Sequence, residues 1–143
     1  MNLSKLLLAG SFATQGLLFS PLVDAENIDI QFINLTQGMH FTPVLFSVHD
    51  GATNLYALGA AASPEIQAMA EGGDISGLQA QVVAAGGSNI DDSAPGLLAP
   101  ASSSEILGLD VDPDSYLSIA TMLLPTNDAF TALNGWKIPS EPG

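Results

Sequence analysis

Three groups of residues could carry chemistry, and the first is the turn PTND at residues 125–128. It follows Leu117–Leu124, an apolar run that predicts a buried strand. Calcium takes six to eight oxygen ligands, so a loop at the end of a rigid strand could hold one through Asp128. An Asn-Asp pair also forms an ordinary turn by bonding its own backbone. From spacing alone, the ordinary turn is favoured.

The second group consists of three alternating acids, Asp110, Asp112 and Asp114. Their spacing resembles the start of a helix-loop-helix calcium loop. The glycine and the terminal glutamate that such a loop requires are absent at the expected positions. The pattern therefore favours a solvated, self-repelling turn.

These acids and Asp128 are predicted to lie far apart. Glu105–Val111 and Tyr116–Leu124 look like two strands of a hairpin, with Asp110 near its tip. Asp128 would lie beyond the other end, about two dozen ångströms away at roughly 3.3 Å per residue. One ion could not then bind both carboxylates.

The third group is the two histidines, His40 and His49, neither of which lies in a metal-ligand motif. The sequence also has no Gly-x-Ser-x-Gly elbow, no cysteine nucleophile and no phosphate-binding glycine loop. A secreted hydrolase using His40 or His49 is the alternative function, because a Ser/His/Asp site is assembled only in space. A structural role is favoured for each histidine.

Composition limits the partners. The chain has 143 residues, with 15 acids against two bases. Nucleic-acid binding needs clustered Lys and Arg, so this charge balance argues against it. Anionic membranes would repel the chain unless a divalent cation bridged the two. The length and the 47% hydrophobic content predict one small domain with a core of its own.

The N-terminus predicts a secretory signal peptide, residues 1–25, cleaved after Ala25. Lys5 precedes the apolar stretch Leu6–Phe19, which falls short of the roughly 20 residues needed to cross a bilayer. We therefore expect a secreted protein, periplasmic or extracellular, without a membrane span. The triplet at 34–36, Asn-Leu-Thr, matches a glycosylation acceptor, which would matter only in a eukaryotic secretory pathway.

The mature chain, from Glu26, predicts strands around a small helical insert at about 63–86. Alternation predicts strands over 28–32 and 44–49. Ser63, Pro64 and Glu65 give the order of cap, first-turn proline and acid that opens a helix. Two adjacent glycines end that helix, and a second helix is predicted from about Ile75 to Ala85. Residues 88–104 predict a surface loop.

Four segments in order resemble the spondin N-terminal domain in its bacterial secreted form. They are NLTQGMHFTPVLFSVHD, LYALGAAASPEIQAMAEGGD, APGLLAP and LSIATMLLPTNDAFTALNG. Together they cover most of residues 28–136. The last is the most specific, with an apolar strand, a Pro-x-x-Asp turn, an aromatic residue and a glycine. Animal relatives usually have an aromatic pair after the aspartate; here Ala129 replaces the first member and Phe130 keeps the second.

The resemblance implies an eight-stranded antiparallel β-sandwich, similar to calcium-dependent membrane-binding sandwiches, with one calcium ion. The aspartate of the Pro-x-x-Asp turn, here Asp128, is implied as a ligand. The ion would be structural or would shape a recognition surface. The implied function is a non-enzymatic module for extracellular binding or adhesion. The resemblance implies an extracellular or cell-surface ligand, protein or carbohydrate, and does not identify it.

The chain departs from the family at its C-terminus. Family members continue with further strands and an acidic turn that carries more calcium ligands. The predicted domain, 26–143, is therefore incomplete relative to that pattern. A single carboxylate with carbonyls is a sparse ligand set, so weak calcium binding is expected.

Overall fold

The computed structural model describes residues 25–139, which fold into a mainly β structure. Seven strands and two helices lie within that range. The elements are β1 Glu26–Ile33, β2 His40–Phe41, β3 Leu45–His49, α1 Pro64–Gly72, α2 Ser76–Ala84, β4 Ser88–Ile90, β5 Ser103–Val111, β6 Tyr116–Leu124 and β7 Phe130–Lys137. The predicted antiparallel β-sandwich with a helical insert is confirmed.

The larger sheet has five strands arranged around β6. β3 and β2 pair in succession along one edge of β6, and β7 pairs along the other. β4 extends the sheet beyond β3. All these pairings are antiparallel, and Ser47 lies opposite Ser118 in the β3–β6 register.

β2 and β3 are separated by a short break at Thr42, Pro43 and Val44. Pro43 lacks an N–H and cannot continue the strand pairing. The Met122 N–H instead donates to the Thr42 hydroxyl at 3.2 Å, and the Thr42 N–H donates to the Met122 carbonyl at 3.1 Å. The side chain of Thr42 thus keeps a central backbone donor satisfied where the strand breaks.

The smaller sheet contains only β1 and β5, paired antiparallel with Glu26 opposite Val111. The predicted β5–β6 hairpin is therefore wrong, because β5 pairs with β1 in the smaller sheet, whereas β6 lies in the larger sheet. The chain from Asp112 to Ser115 connects the two sheets. Asp110 still precedes β6 and Asp128 still follows it, so the length of β6 separates them.

Two apolar clusters form the core, one on each face of the larger sheet. One lies between the sheets and includes Ile30, Phe46 and Ile119. The other lies between the larger sheet and the helices, around Leu45 and Met69. The predicted alternation of β3 is confirmed, since neighbouring residues of that strand enter opposite clusters. The molecule therefore has three layers: small sheet, large sheet and helices.

The helical insert follows the sequence signals closely. The Ser63 hydroxyl accepts from the Ile66 N–H at 3.2 Å and caps α1, and Gly73 ends it with a φ of +71°. α1 presents Ile66, Met69 and Ala70 to the core, which confirms the predicted stripe. α2 confirms the second helix.

Two other predictions have different outcomes. The loop prediction for 88–104 is wrong at both ends, because Ser88–Ile90 forms β4 and Ser103 begins β5. The signal peptide lies outside the described residues, apart from Ala25. Across residues 25–139 no helix is long and apolar enough to cross a bilayer.

Candidate functional site

Asp128 lies in the loop between β6 and β7, and its side chain is exposed. The loop is held by Thr126, whose hydroxyl donates to the Leu123 carbonyl and accepts from the Ala129 N–H at 3.2 Å. The Leu123 N–H donates to the Ala129 carbonyl at 2.9 Å. The Thr126 hydroxyl is thus committed to closing the hairpin, while Asp128 faces solvent.

The residues around Asp128 fit a calcium ion only loosely. Asn127 adds one exposed amide, and the loop carbonyls of Leu123 and Ala129 already accept hydrogen bonds. Among the described residues no group of three or more His, Asp or Glu side chains could hold a metal ion. Calcium prefers six to eight oxygens, so water would have to supply most of them at this loop.

The acids Asp110, Asp112 and Asp114 lie at the opposite end of β6, and all three are exposed. The Asn27 amide donates to Asp110 at 2.8 Å. Asp114 pairs with Lys137 at 2.6 Å, and this hydrogen bond and charge lower the pKa of the Asp114 carboxyl. The separate contacts fit the predicted solvated turn.

His49 is buried and hydrogen-bonded to a serine, an arrangement that resembles a nucleophile with its base. Its Nε2 lies 2.9 Å from the Ser118 hydroxyl. Its Nδ1 accepts the Gly51 N–H at 3.1 Å, so Nδ1 carries no proton. A neutral ring then has its proton on Nε2 and donates it to Ser118.

That direction is opposite to the one general-base catalysis needs. A catalytic histidine must accept the serine proton at Nε2. The Ser118 oxygen also accepts the Gly135 N–H at 2.9 Å and is fully buried. The pair therefore ties β3, β6 and β7 together rather than presenting a nucleophile.

Burial lowers the pKa of His49 from its ordinary value, and the nearby Asp50 carboxylate opposes the shift only partly. The unfolded chain takes up a proton below pH about 6.5, whereas folded His49 stays neutral to lower pH. The contribution of His49 to stability is therefore complete above that pH and is lost as pH falls.

We expect the free energy of unfolding to fall below pH 6.5, with His49 contributing at most about 1.4 kcal/mol per pH unit. His49→Gln should remove that contribution, and His40→Gln should retain it. Urea unfolding at pH 5, 6, 7 and 8 measures the slope for each protein. Equal slopes in the wild type and His49→Gln would contradict the assignment.

Asn34 is completely buried and organises the loops near Asp128. Its amide nitrogen donates to the Met39 and Leu98 carbonyls at 2.8 and 2.9 Å. Its oxygen accepts the Thr36 N–H at 3.0 Å and the Thr36 hydroxyl at 2.7 Å. Because both amide hydrogens are used, the Asn-Leu-Thr triplet acts in this structure as a turn and not as a glycan acceptor.

Three loops meet at this end of the sandwich, and we call the surface formed by residues 34–39, 95–101 and 125–129 the loop end. A depression lined by Gly38, His40, Leu97, Leu124 and Pro125 connects them. Ala101 donates its N–H to the Asn34 carbonyl at 2.8 Å from a φ of +60°, which a residue with a Cβ seldom adopts. Hydrogen bonds within and between these segments therefore stabilise the loop end.

The loop end exposes apolar side chains that sequence reasoning did not single out. Leu35 is 84% exposed and Leu97 is 61% exposed. Leu35 follows the bonded Asn34, and Leu97 precedes Leu98, whose N–H donates to the Phe41 carbonyl at 2.9 Å. The sequence signals were the Asn-x-Thr triplet that contains Leu35 and the Pro-Gly pair before Leu97, but neither reports which way a leucine faces.

The fold and the loop end together define an antiparallel β-sandwich with a helical layer and one rigid, partly apolar end. No protein-family model, curated protein or solved structure matches the chain. The resemblance to the spondin N-terminal domain therefore rests on its four segments, and it stays a prediction.

Proposed function

We propose that this protein is a secreted, non-enzymatic module for extracellular binding or adhesion, related to spondin N-terminal domains. The observation that carries the proposal is the loop end, where Leu35 and Leu97 stand exposed on loops fixed by the buried Asn34. Rigid loops lose little entropy on binding, and exposed apolar side chains supply contact area. The ligand class we propose is a cell-surface protein or carbohydrate.

The contacts of the two histidines support the hydrolase alternative less well than the binding module. His49 donates to Ser118 in a buried pair, as its Nδ1 contact indicates. His40 belongs to the two-residue strand β2, beside Leu97 and Pro125 in the loop-end depression. Neither histidine meets an exposed serine and a carboxylate in the described contacts, so we favour the binding module.

The double variant Leu35→Ser/Leu97→Ser tests the proposed site. Binding of the wild type, the double variant and Leu58→Ser to immobilised glycans and extracellular-matrix proteins would be compared. Leu58 is 92% exposed on the segment before α1, outside the three segments that form the loop end, and serves as the matched control. Loss of binding in the double variant alone supports the loop end, whereas equal binding by all three rejects it.

We propose that Asp128 binds calcium, with the side-chain oxygen of Asn127 as a second ligand and water molecules completing the coordination shell. A site this sparse should bind in the range of weak extracellular modules, about 10⁻⁴–10⁻³ M. At 10 mM calcium, ligand linkage then predicts a gain of about 1–3 kcal/mol in the free energy of unfolding. Thermal unfolding with and without calcium measures the gain.

The matched variants are Asp128→Asn and Asp112→Asn, which remove the same charge from opposite ends of β6. Asp128→Asn should abolish the calcium-dependent gain, and Asp112→Asn should keep it. An equal response in both variants would mean that calcium acts on the acidic surface in general.

We also propose export with cleavage after Ala25. β1 begins at Glu26, the residue that this cleavage would make the first. Mass spectrometry of the exported protein should therefore find Glu26 at the N-terminus. A product that retains Met1 would contradict the cleavage.

A further inference from the structure

The outer edge of β1 faces an open groove in the sandwich. β1 pairs with β5 on one side, and its other edge pairs with no strand among residues 25–139. β7 likewise pairs only with β6 in that range. Between these two edges lies an apolar groove of about 460 Å³, lined in part by Ile28, Ile30, Leu117, Ile119, Leu133 and Trp136.

The groove opens directly onto the core between the sheets. Ile30, Leu117 and Ile119 belong to that core, and they also line the groove. Trp136 stands at its rim, 48% exposed. A strand added beside β1 would send every second side chain onto this apolar floor, since side chains alternate between the faces of a sheet.

β1 lacks most of the devices that protect edge strands from pairing. It is eight residues long and contains no proline and no lysine. Its irregularity is a register shift between Ile28 and Ile30. A long edge beside an apolar floor is the arrangement that binds extended peptides by strand addition.

The outward face of the small sheet carries three carboxylates and no base. They are Asp29 on β1 and Glu105 and Asp110 on β5. The donors that contact two of them are neutral, Asn27 to Asp110 and Gln31 to Glu105, each at 2.8 Å. Lys137, the single base in residues 25–139, is paired with Asp114. An added strand would lie next to β1, so a Lys or Arg on this face could pair directly with Asp29, and the carboxylates on β5 would attract it from one strand further away.

The same charges argue against a second copy of this chain as the occupant. Antiparallel pairing of two β1 strands would join their outward faces, so that Asp29, Glu105 and Asp110 of both copies would share one surface. Like charges on adjacent strands are destabilising, and each copy has a formal charge of −13.

We propose that the free edge of β1 binds an extended basic segment of another protein by strand addition, with its apolar side chains in the groove. The inference deepens the proposed function by naming a partner class, and it rests on that function only in requiring a binding protein. It uses a surface apart from the loop end, so the two proposals can fail separately.

An eight-residue peptide of alternating Lys and Val tests the proposal by calorimetry and by amide hydrogen exchange of the whole chain. We expect binding, with at least tenfold slower exchange in β1. The peptide with alternate backbone N-methyl groups along one edge keeps its side chains but loses hydrogen-bond donors, and it should not bind. A Glu/Val peptide and a block peptide of four Lys and four Val should also fail.

Protein variants separate local from general charge effects. Asp29→Lys, on the outward face of β1 itself, should raise the Kd of the Lys/Val peptide about 3–5-fold, as expected for one cross-strand charge pair. Asp91→Lys makes the same change of charge after β4, at the sheet edge opposite β7, and should change the Kd less than twofold.

Three outcomes would overturn the proposal: unchanged exchange in β1, equal binding of the N-methylated peptide, or equal effects of the two charge reversals. A dimer in sedimentation equilibrium that protects β1 without peptide would assign the edge to a second copy. If the loop-end variants lose ligand binding while the Lys/Val peptide fails to bind, the proposed function stands and this inference falls.

Discussion

Asn34→Ala should lower the free energy of unfolding by about 3–5 kcal/mol. The substitution removes four hydrogen bonds, although the Met39 carbonyl keeps the Thr36 hydroxyl as a donor and the Leu98 carbonyl keeps the Phe41 N–H. Each lost hydrogen bond costs about 0.5–1.5 kcal/mol, and domains of this kind are stable by only about 5–15 kcal/mol. Chemical unfolding of the purified variant measures the loss.

The neighbouring Leu35→Ala is the control, because that side chain is mostly exposed and makes no described hydrogen bond. It should change stability by less than about 0.5 kcal/mol. If both variants lost the same amount, the buried amide would not be what holds the loop end together.

Gly87→Ala should lower the free energy of unfolding by about 2–3 kcal/mol, which is the second large effect we expect. A Cβ there would lie 2.8 Å from Val82 Cγ1, 2.9 Å from His49 Cβ and 2.9 Å from the Val48 carbonyl oxygen. The Val48 carbonyl is part of β3 in the larger sheet, so it cannot rotate away from a Cβ at residue 87. Overpacked positions typically cost about 1–3 kcal/mol, and here two rigid neighbours are involved.

Two other glycines serve as controls for Gly87. A Cβ at Gly86 meets nothing within 4 Å, but the φ of +89° strains any L residue, so Gly86→Ala should cost about 1 kcal/mol. Gly72 meets nothing and has no positive φ, so its alanine variant should be neutral or slightly stabilising. A cost at Gly87 no larger than at Gly86 would contradict the close contact.

Local signals predicted the helices and several strands because their causes are local. A serine cap, a proline and two glycines set the bounds of α1 whatever the rest of the chain does. Alternation likewise identified β1 and both faces of β3. Such patterns report which face is buried, and here the burial agrees with them.

Strand pairing was not predictable in the same way. The chain between Val111 and Tyr116 looked like a hairpin turn because it is short, polar and contains a proline. The same residues can also carry a chain from one sheet to the other, and nothing local distinguishes the two. β4 was missed because its three residues contain a single large apolar side chain, too few for a periodic pattern.

The candidate site was predictable only in part. The exposed Asp128 was identified as the residue after a strand end, and the structure places it in a hairpin loop. The sequence did not indicate that the Asn34 amide connects two loops, because its partner Leu98 lies 64 positions away in the chain. The orientation of the His49–Ser118 bond depends on a backbone N–H, and sequence patterns do not report such contacts.

The pairing of β1 with β5 also bears on when the chain can fold. Asn27 and Asp110 are in contact across 83 positions, so the smaller sheet cannot close until Ser103–Val111 has left the ribosome. Closing so long a segment is entropically costly and makes folding slow. A nascent polypeptide with this order of assembly keeps its first strand without its partner strand until most of the chain has been synthesised.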